Sequence, residues 1–199
     1  MPKQFISFFF FFVISYFPLC GKNLSIAQFT TAAMNFNIVK DSRFPTAVQT
    51  GERISWGAQL NIFENFAASI SGGLNRVHAS FPVEGIIYRG HGNITGGLYL
   101  DGKIQFLPHT GSVVVWWGIR VGGEGNFSQY SLTRLYFFYP ALALDPFIEF
   151  SHADKNVPWR IRLTFPLRYN FRRDMVFSFS AGIGLSLISN PFARGWEYD

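Results

Sequence analysis

Between positions 159 and 168 the chain alternates Trp159, Ile161, Leu163, Phe165 and Leu167 with Arg160, Arg162, Thr164, Pro166 and Arg168. A period of two is the side-chain spacing of a β-strand, so three guanidinium groups share one face. Arg120 stands in a second run of this kind, opposite the face carrying Val113, Val115, Trp117, Ile119 and Val121. A guanidinium keeps its charge at any ordinary pH and presents a planar fork of donors that matches a carboxylate or a phosphate. Gathered inside a fold, Arg120, Arg160, Arg162 and Arg168 allow two chemistries. One is a salt-bridged plug, with Glu149, Asp101 or Glu64 as neutralising partners. The other is a basic lining that favours anions.

Other reactive constellations are scarce. The chain has no zinc-ligand spacing, phosphate-binding glycine loop, nucleophile elbow or dinucleotide fingerprint. Gly182-Ile183-Gly184 lies inside an alternating run, where glycine suits a crowded interior better than a phosphate. His78, His91 and His109 fall in or beside loops without paired ligand spacing. No catalytic residue, metal, cofactor or nucleic-acid partner is therefore expected.

The elements that must position the arginines are organised around Arg53 to Asn75. In the first half Ile54, Trp56, Ala58, Leu60 and Ile62 oppose Ser55, Gly57, Gln59 and Asn61. In the second, Phe66, Ala68, Ile70, Gly72 and Leu74 oppose Ala67, Ser69, Ser71, Gly73 and Asn75. Glu64-Asn65 between them suits a tight turn, so the pair reads as a β-hairpin. Alternation alone does not say which face meets the core. The polar face is made of Ser, Gly, Gln and Asn, without the Lys and Glu that coat a soluble strand. Small polar groups suit the inside of a narrow closed barrel, and large aliphatics and Trp suit an exterior in lipid.

Further alternating runs cover Thr31–Val39, Asn93–Asp101, Val113–Gly122 and Phe177–Leu187. Lys40 to Glu52 and Gly122-Gly123-Glu124-Gly125-Asn126 are expected to be loops. From Leu132 to Leu144 the period is unresolved, and Pro140 suggests a strand with a kink or bulge, or a buried helix. The expected fold is all-β, a closed antiparallel transmembrane barrel of eight strands. Short runs at Phe147–His152 and Lys103–Leu107 would raise the total to ten.

Composition agrees with a large surface facing something other than water. Aromatics make up 19% of the 199 residues and charged residues only 15%, against about 25% charged in a soluble domain. The first residues place Lys3 before an apolar run from Phe5 to Phe17 and reach Ser25-Ile26-Ala27, the pattern of a secretory signal peptide cleaved after Ala27. Domain limits are then 1–27 for the signal and 28–199 for the barrel. Cleavage removes Cys20, the only cysteine, and lowers the formal charge from +5 to +3 by taking Lys3 and Lys22. A lipid anchor on Cys20 is the alternative, although Phe17-Pro18-Leu19 lacks small residues. Beyond residue 27 no apolar run approaches the ~20 residues of a spanning helix.

In this pattern the chain resembles the small outer-membrane β-barrel proteins, in the manner of the OmpX, OmpW and OmpA-barrel families. The most specific match is the last strand, where Ser180, Gly182, Leu185 and Leu187 fit that class's assembly signal of polar residue, glycine and spaced hydrophobics. The final position is Leu187 and not an aromatic, and residues 188–199 follow it. The resemblance implies location in a bacterial outer membrane, with its lipid and the barrel assembly machinery as partners. It implies aromatic girdles as well, for which Trp56, Tyr99, Tyr136, Trp159 and Tyr169 are candidates. Function is expected to be that of a structural or surface-interaction scaffold, its basic lumen filled by side chains and its loops meeting an extracellular partner. The alternatives are a small-solute, anion-favouring channel and a soluble lipocalin-like ligand-binding barrel. A third is a lipid-modifying enzyme: His152 resembles the histidine of the lipid A deacylase barrels, but Asp154 holds the position of their serine.

Overall fold

The computed structural model describes residues 25–40, 45–80, 87–106, 112–129, 136–154, 157–173 and 175–189. They form β1 (Ser25–Lys40), β2 (Ala47–Phe63), β3 (Phe66–Val77), β4 (His91–Gln105), β5 (Val113–Gln129), β6 (Tyr136–His152), β7 (Trp159–Thr164), β8 (Leu167–Asn170) and β9 (Phe177–Ser189). All belong to one antiparallel sheet, and β1 pairs with β9 from Gln28↔Ser189 to Lys40↔Phe177, which closes it into a barrel. Closure leaves no unpaired strand edge, which an apolar surrounding would not tolerate.

The nine segments make eight staves. Both β7 and β8 lie between β6 and β9, and they continue one register: Phe147 opposes Thr164 while Leu144 opposes Leu167. Phe165 N donates to Pro146 O and Gly182 N to Pro166 O, each at 2.9 Å, so the ladder runs through the gap. The interruption comes from prolines at 146 and 166, which supply no N–H. The two runs that suggested ten strands are absorbed likewise: Phe147–His152 is the end of β6, and β4 continues to Gln105.

Several expectations for loops and kinks are corrected. Residues 122–126 lie inside β5, paired from Gly122↔Ala143 to Asn126↔Tyr139. Glycine there serves close packing, since a Cβ on Gly122 would run into Leu98 O and the Tyr99 ring. Pro140 causes no bulge, because β5 and β6 keep one register from Val113↔His152 to Gln129↔Tyr136. Its carbonyl accepts from Phe171 N, just past the end of β8, so the missing N–H of the same residue faces the end of that ladder. The first two strands are longer than expected: β1 includes Lys40 and β2 starts at Ala47, within the stretch expected to be a loop from Lys40 to Glu52.

Orientation follows the parity argument. Burial alternates along every strand, with Met34, Ile54, Ile70, Leu98, Val121, Leu142 and Leu185 exposed on the outside. Their neighbours inside are Asn35, Ser55, Ser71, Tyr99, Arg120, Ala143 and Ser186, all buried. The apolar buried cluster is small, Ala27 with Phe29 and Ile188 at the end where the chain enters and leaves. This is a barrel turned apolar side out. Leu98, mid-way along β4 and paired with Ile70 and Gly123, is 55% exposed. Leu98→Arg should cost about 2–4 kcal/mol in a bilayer. Urea titration of the vesicle-inserted protein measures this, and full tolerance of the charge would overturn the orientation.

Candidate functional site

Each arginine of the row reaches the lumen because β7 and β8 carry it on the face opposite Trp159, Ile161 and Tyr169. From the neighbouring staves come Asp101 and Lys103 (β4), Arg120 and Glu124 (β5), and Asp145 and Glu149 (β6). Across the lumen β2 adds Arg53. Six cations and four carboxylates interlock as a ladder along the barrel.

Arg162 is the central rung and only 1% exposed. Its Nη1 donates to Asp101 Oδ2 at 2.6 Å, and its Nη2 and Nε donate to Glu149 Oε2 at 2.7 and 3.0 Å. Asp101 also receives Arg120 in a bidentate pair of 2.7 and 2.9 Å. Glu149 uses its other oxygen for Lys103 Nζ at 2.6 Å and Arg160 Nη1 at 3.1 Å. On the far side Arg168 donates bidentately to Asp145 and through Nε to Glu124 Oε1 at 2.6 Å. Glu124 Oε2 accepts from Arg53 at 2.9 Å, and Oε1 also accepts from the Tyr99 hydroxyl at 2.7 Å. Charge-assisted, forked hydrogen bonds of this kind are what enclosed charges require.

Aromatic faces and glycines make the space. Arg162 lies 3.9 Å from the Phe147 ring centroid, Lys103 4.5 Å from Trp116, and Arg120 4.9 Å from Phe29. These distances suit cation–π attraction. The Phe147 ring lies against Gly118, the Tyr99 ring against Gly97 and Gly122, and Phe29 against Gly57, where any Cβ would collide. At the loop end a polar cavity of about 30 Å³ lies beside Asn37, Gln49, Asn126 and Arg168. Such a space holds water but not a solute.

Thus the structure brings Arg120, Arg160, Arg162 and Arg168 together inside, with Asp101 and Glu149 among their partners. Glu64 is not one of them: it occupies the exposed β2–β3 turn. Four members were missed in the sequence. Glu124 lies in the stretch expected to be a loop and Asp145 just past the stretch of unresolved period, while Arg53 and Lys103 share the parity of Ser55 and Asp101 and are legible from it.

Among the girdle candidates Trp56, Trp159 and Tyr169 face outward, at 53%, 49% and 39% exposure. Tyr99 is a correction. It lies inward because it shares the face of Thr95 and Asp101, and its hydroxyl bonds Glu124. The Tyr136 side chain lies outside the described residues, as do His109, residues 1–24 and residues 190–199. Trp56 sits at mid-strand opposite Thr30 and Gly72, whereas Phe127 with Phe138 and Tyr169 with Phe171 and Phe177 form aromatic contacts toward the loop end. In the last strand Ser180 and Gly182 face in, Leu185 and Leu187 face out, and Gly182 packs at the closing seam against Met34 O and Asn35. Ser151 Oγ accepts from Trp116 Nε1, and His152 Nδ1 from the Asp154 amide, both at 3.0 Å, so neither engages the other.

Because Glu149 holds three cations, Glu149→Gln should destabilise the barrel by about 3–5 kcal/mol. Arg160→Gln should cost less, since Glu149 keeps Arg162 and Lys103. Urea unfolding from vesicles compares the two, and an equal or reversed order would show that the ladder is not coupled through Glu149.

No protein-family model matches this chain, and no curated protein matches it. Among solved structures it is similar to Neisserial surface protein A at 13% identity, over 82% of this chain and 98% of that one, with a TM-score of 0.45. It is similar as well to Ail, the attachment invasion locus protein of Yersinia pestis, at 10% identity, over 82% and 99% of the chains, TM-score 0.42. The N-terminal β-barrel domain of Pseudomonas aeruginosa OprF is 8% identical over 79% and 96% of the chains, TM-score 0.40.

Proposed function

We propose that this chain is an outer-membrane barrel that works as a scaffold, its lumen sealed and its loops presented to partners outside the cell. The observation that carries this is the ion ladder: Arg162, Glu149 and Asp101, from three different staves, meet across the lumen and are at most 3% exposed. An eight-stranded barrel is about wide enough to be filled by its own side chains. The interlocked charges and flat aromatic rings account for that filling here.

The connections at the end away from the chain termini lie between Lys40 and Ala47, Val77 and His91, Gln129 and Tyr136, and Asn170 and Phe177. The longest is held at its base by an inward glutamine. Gln49 Nε2 donates to His78 O at 3.0 Å and to Arg89 O at 3.2 Å, and Tyr88 Oη donates to Pro45 O at 3.0 Å. Anchoring lowers the ordering cost of contact with a partner, which supports this loop as the contact surface. Outward Trp159 and Tyr169 suit girdle positions, and Ser180 to Leu187 suits recognition by the assembly machinery.

Single-channel recording in planar bilayers tests the sealed lumen. The purified protein, verified as folded by its heat-modifiable gel migration, should give no steady conductance. A stable anion-selective current abolished by Arg162→Ala would make it a channel instead. Export with cleavage after Ala27 would trim Ser25, Ile26 and Ala27 from β1 and leave Gln28 paired with Ala58 and Ser189. N-terminal sequencing of the mature protein should therefore begin at Gln28, and a chain beginning at a lipidated Cys20 would replace this with a lipoprotein.

A further inference from the structure

The ladder does not balance, and its surplus is confined to one place. Arg53 and Arg168 are matched by Glu124 and Asp145, and Arg120 and Arg162 by Asp101 and Glu149. Lys103 and Arg160 remain, and both turn to the single oxygen Oε1 of Glu149. An ammonium and a guanidinium thus stand side by side over one carboxylate that Arg162 already neutralises. Of the cations around Glu149 they are the most open, with side chains 10% and 18% exposed against 1% for Arg162. Both lie near the chain-terminus end of the lumen, Lys103 two residues from the end of β4 and Arg160 one residue into β7.

The surrounding walls add no negative charge. At this end the inward positions are Phe29 and Thr31 of β1, Gln59 and Asn61 of β2, Ala67 and Ser69 of β3, and Ser186 and Ile188 of β9. Two of these bring unpartnered buried polar atoms, Gln59 Oε1 and the Ser69 hydroxyl. The carboxylates of Glu64 and Asp154 belong to the turns at this end and are exposed. Two like charges held together in a confined, partly dry space attract a counter-ion strongly. A guanidinium fork beside an ammonium matches a tetrahedral oxyanion.

We propose that Lys103 and Arg160 form an anion site at the chain-terminus mouth of the lumen, for a phosphate group that binds there. The phosphate is either free in solution or the headgroup of an anionic lipid. This site is independent of the loop surface, and it survives if the scaffold reading fails.

Trp116 supplies the readout, because its ring lies 4.5 Å from Lys103 Nζ. Inorganic phosphate is titrated into the folded protein in neutral detergent at constant ionic strength, with chloride as the balancing salt, while tryptophan emission is followed. A saturable change is expected that Trp116→Phe removes. Lys103→Met and Arg160→Gln should each weaken binding about tenfold, and Arg160→Lys, which keeps the charge, should weaken it less. Heat-modifiable migration confirms that each variant is folded, and Arg160→Lys serves as the second test if Arg160→Gln is not. In phosphatidylcholine vesicles the free-phosphate response should persist. Its loss in vesicles containing phosphatidylglycerol would assign the site to a lipid headgroup. No saturable response in the wild type, or an unchanged response in the Lys103→Met and Arg160→Gln double variant, overturns the proposal.

Discussion

An arginine enclosed by a closed sheet can neither lose its proton nor reach bulk water, so carboxylates must come to it. Most of this interior follows from that constraint. Arg162 draws Asp101 from one stave and Glu149 from another, and each acid, being larger in hydrogen-bonding capacity than one arginine can fill, recruits further cations. The staves are thereby tied across the lumen as well as along their edges. A barrel with its apolar side turned to lipid gains little from hydrophobic contact between its own elements, since lipid tails are as apolar as its leucines. What remains to define the interior is hydrogen bonding and close packing, and both are concentrated at the ladder.

Packing explains why so bulky a set of groups fits. Glycines at 57, 97, 118 and 122 lie beneath aromatic rings from adjoining positions, and those rings carry Arg120 and Arg162 on their faces. Sheet, glycine, ring and cation therefore form successive layers. Adding one methyl group at Gly118 or Gly122 would have to move a ring, and the ring would have to move a charge.

The parity of the strands was legible from the sequence because a period of two needs only local information. It placed Arg120, Arg160, Arg162 and Arg168 on the inner face before any pairing was known. Asp101 and Glu149 were legible as candidate partners, but which arginine each would meet was not, since Arg162 with Asp101 and Arg168 with Glu124 are separated by 61 and 44 positions and depend on register. Glycine misled in the other direction. At residues 122–126 it signals a loop when only the local chain is considered, yet the stretch is strand and its Gly122 is the floor on which Tyr99 rests. Tyr99 itself shows the limit of ranking residues by type: aromatic residues suit interfaces, yet its parity with Asp101 outweighed that preference.

The two ends of the ladder differ in a way that follows from the same constraint. Toward the loops, Arg53 and Arg168 are each shared with an acid, and beyond them buried Arg172 lies over the Tyr139 ring beside amides and hydroxyls. Toward the chain termini the ladder ends on cations. A charge buried deep in the barrel must be matched residue for residue, whereas a charge near a mouth can be matched by something that arrives from outside. The unmatched pair, Lys103 and Arg160, is found where that is allowed, beside the opening and with its carboxylate already shared. A matched interior and a cation pair sharing one carboxylate near the mouth are therefore two consequences of one rule about enclosed charge, applied at different depths.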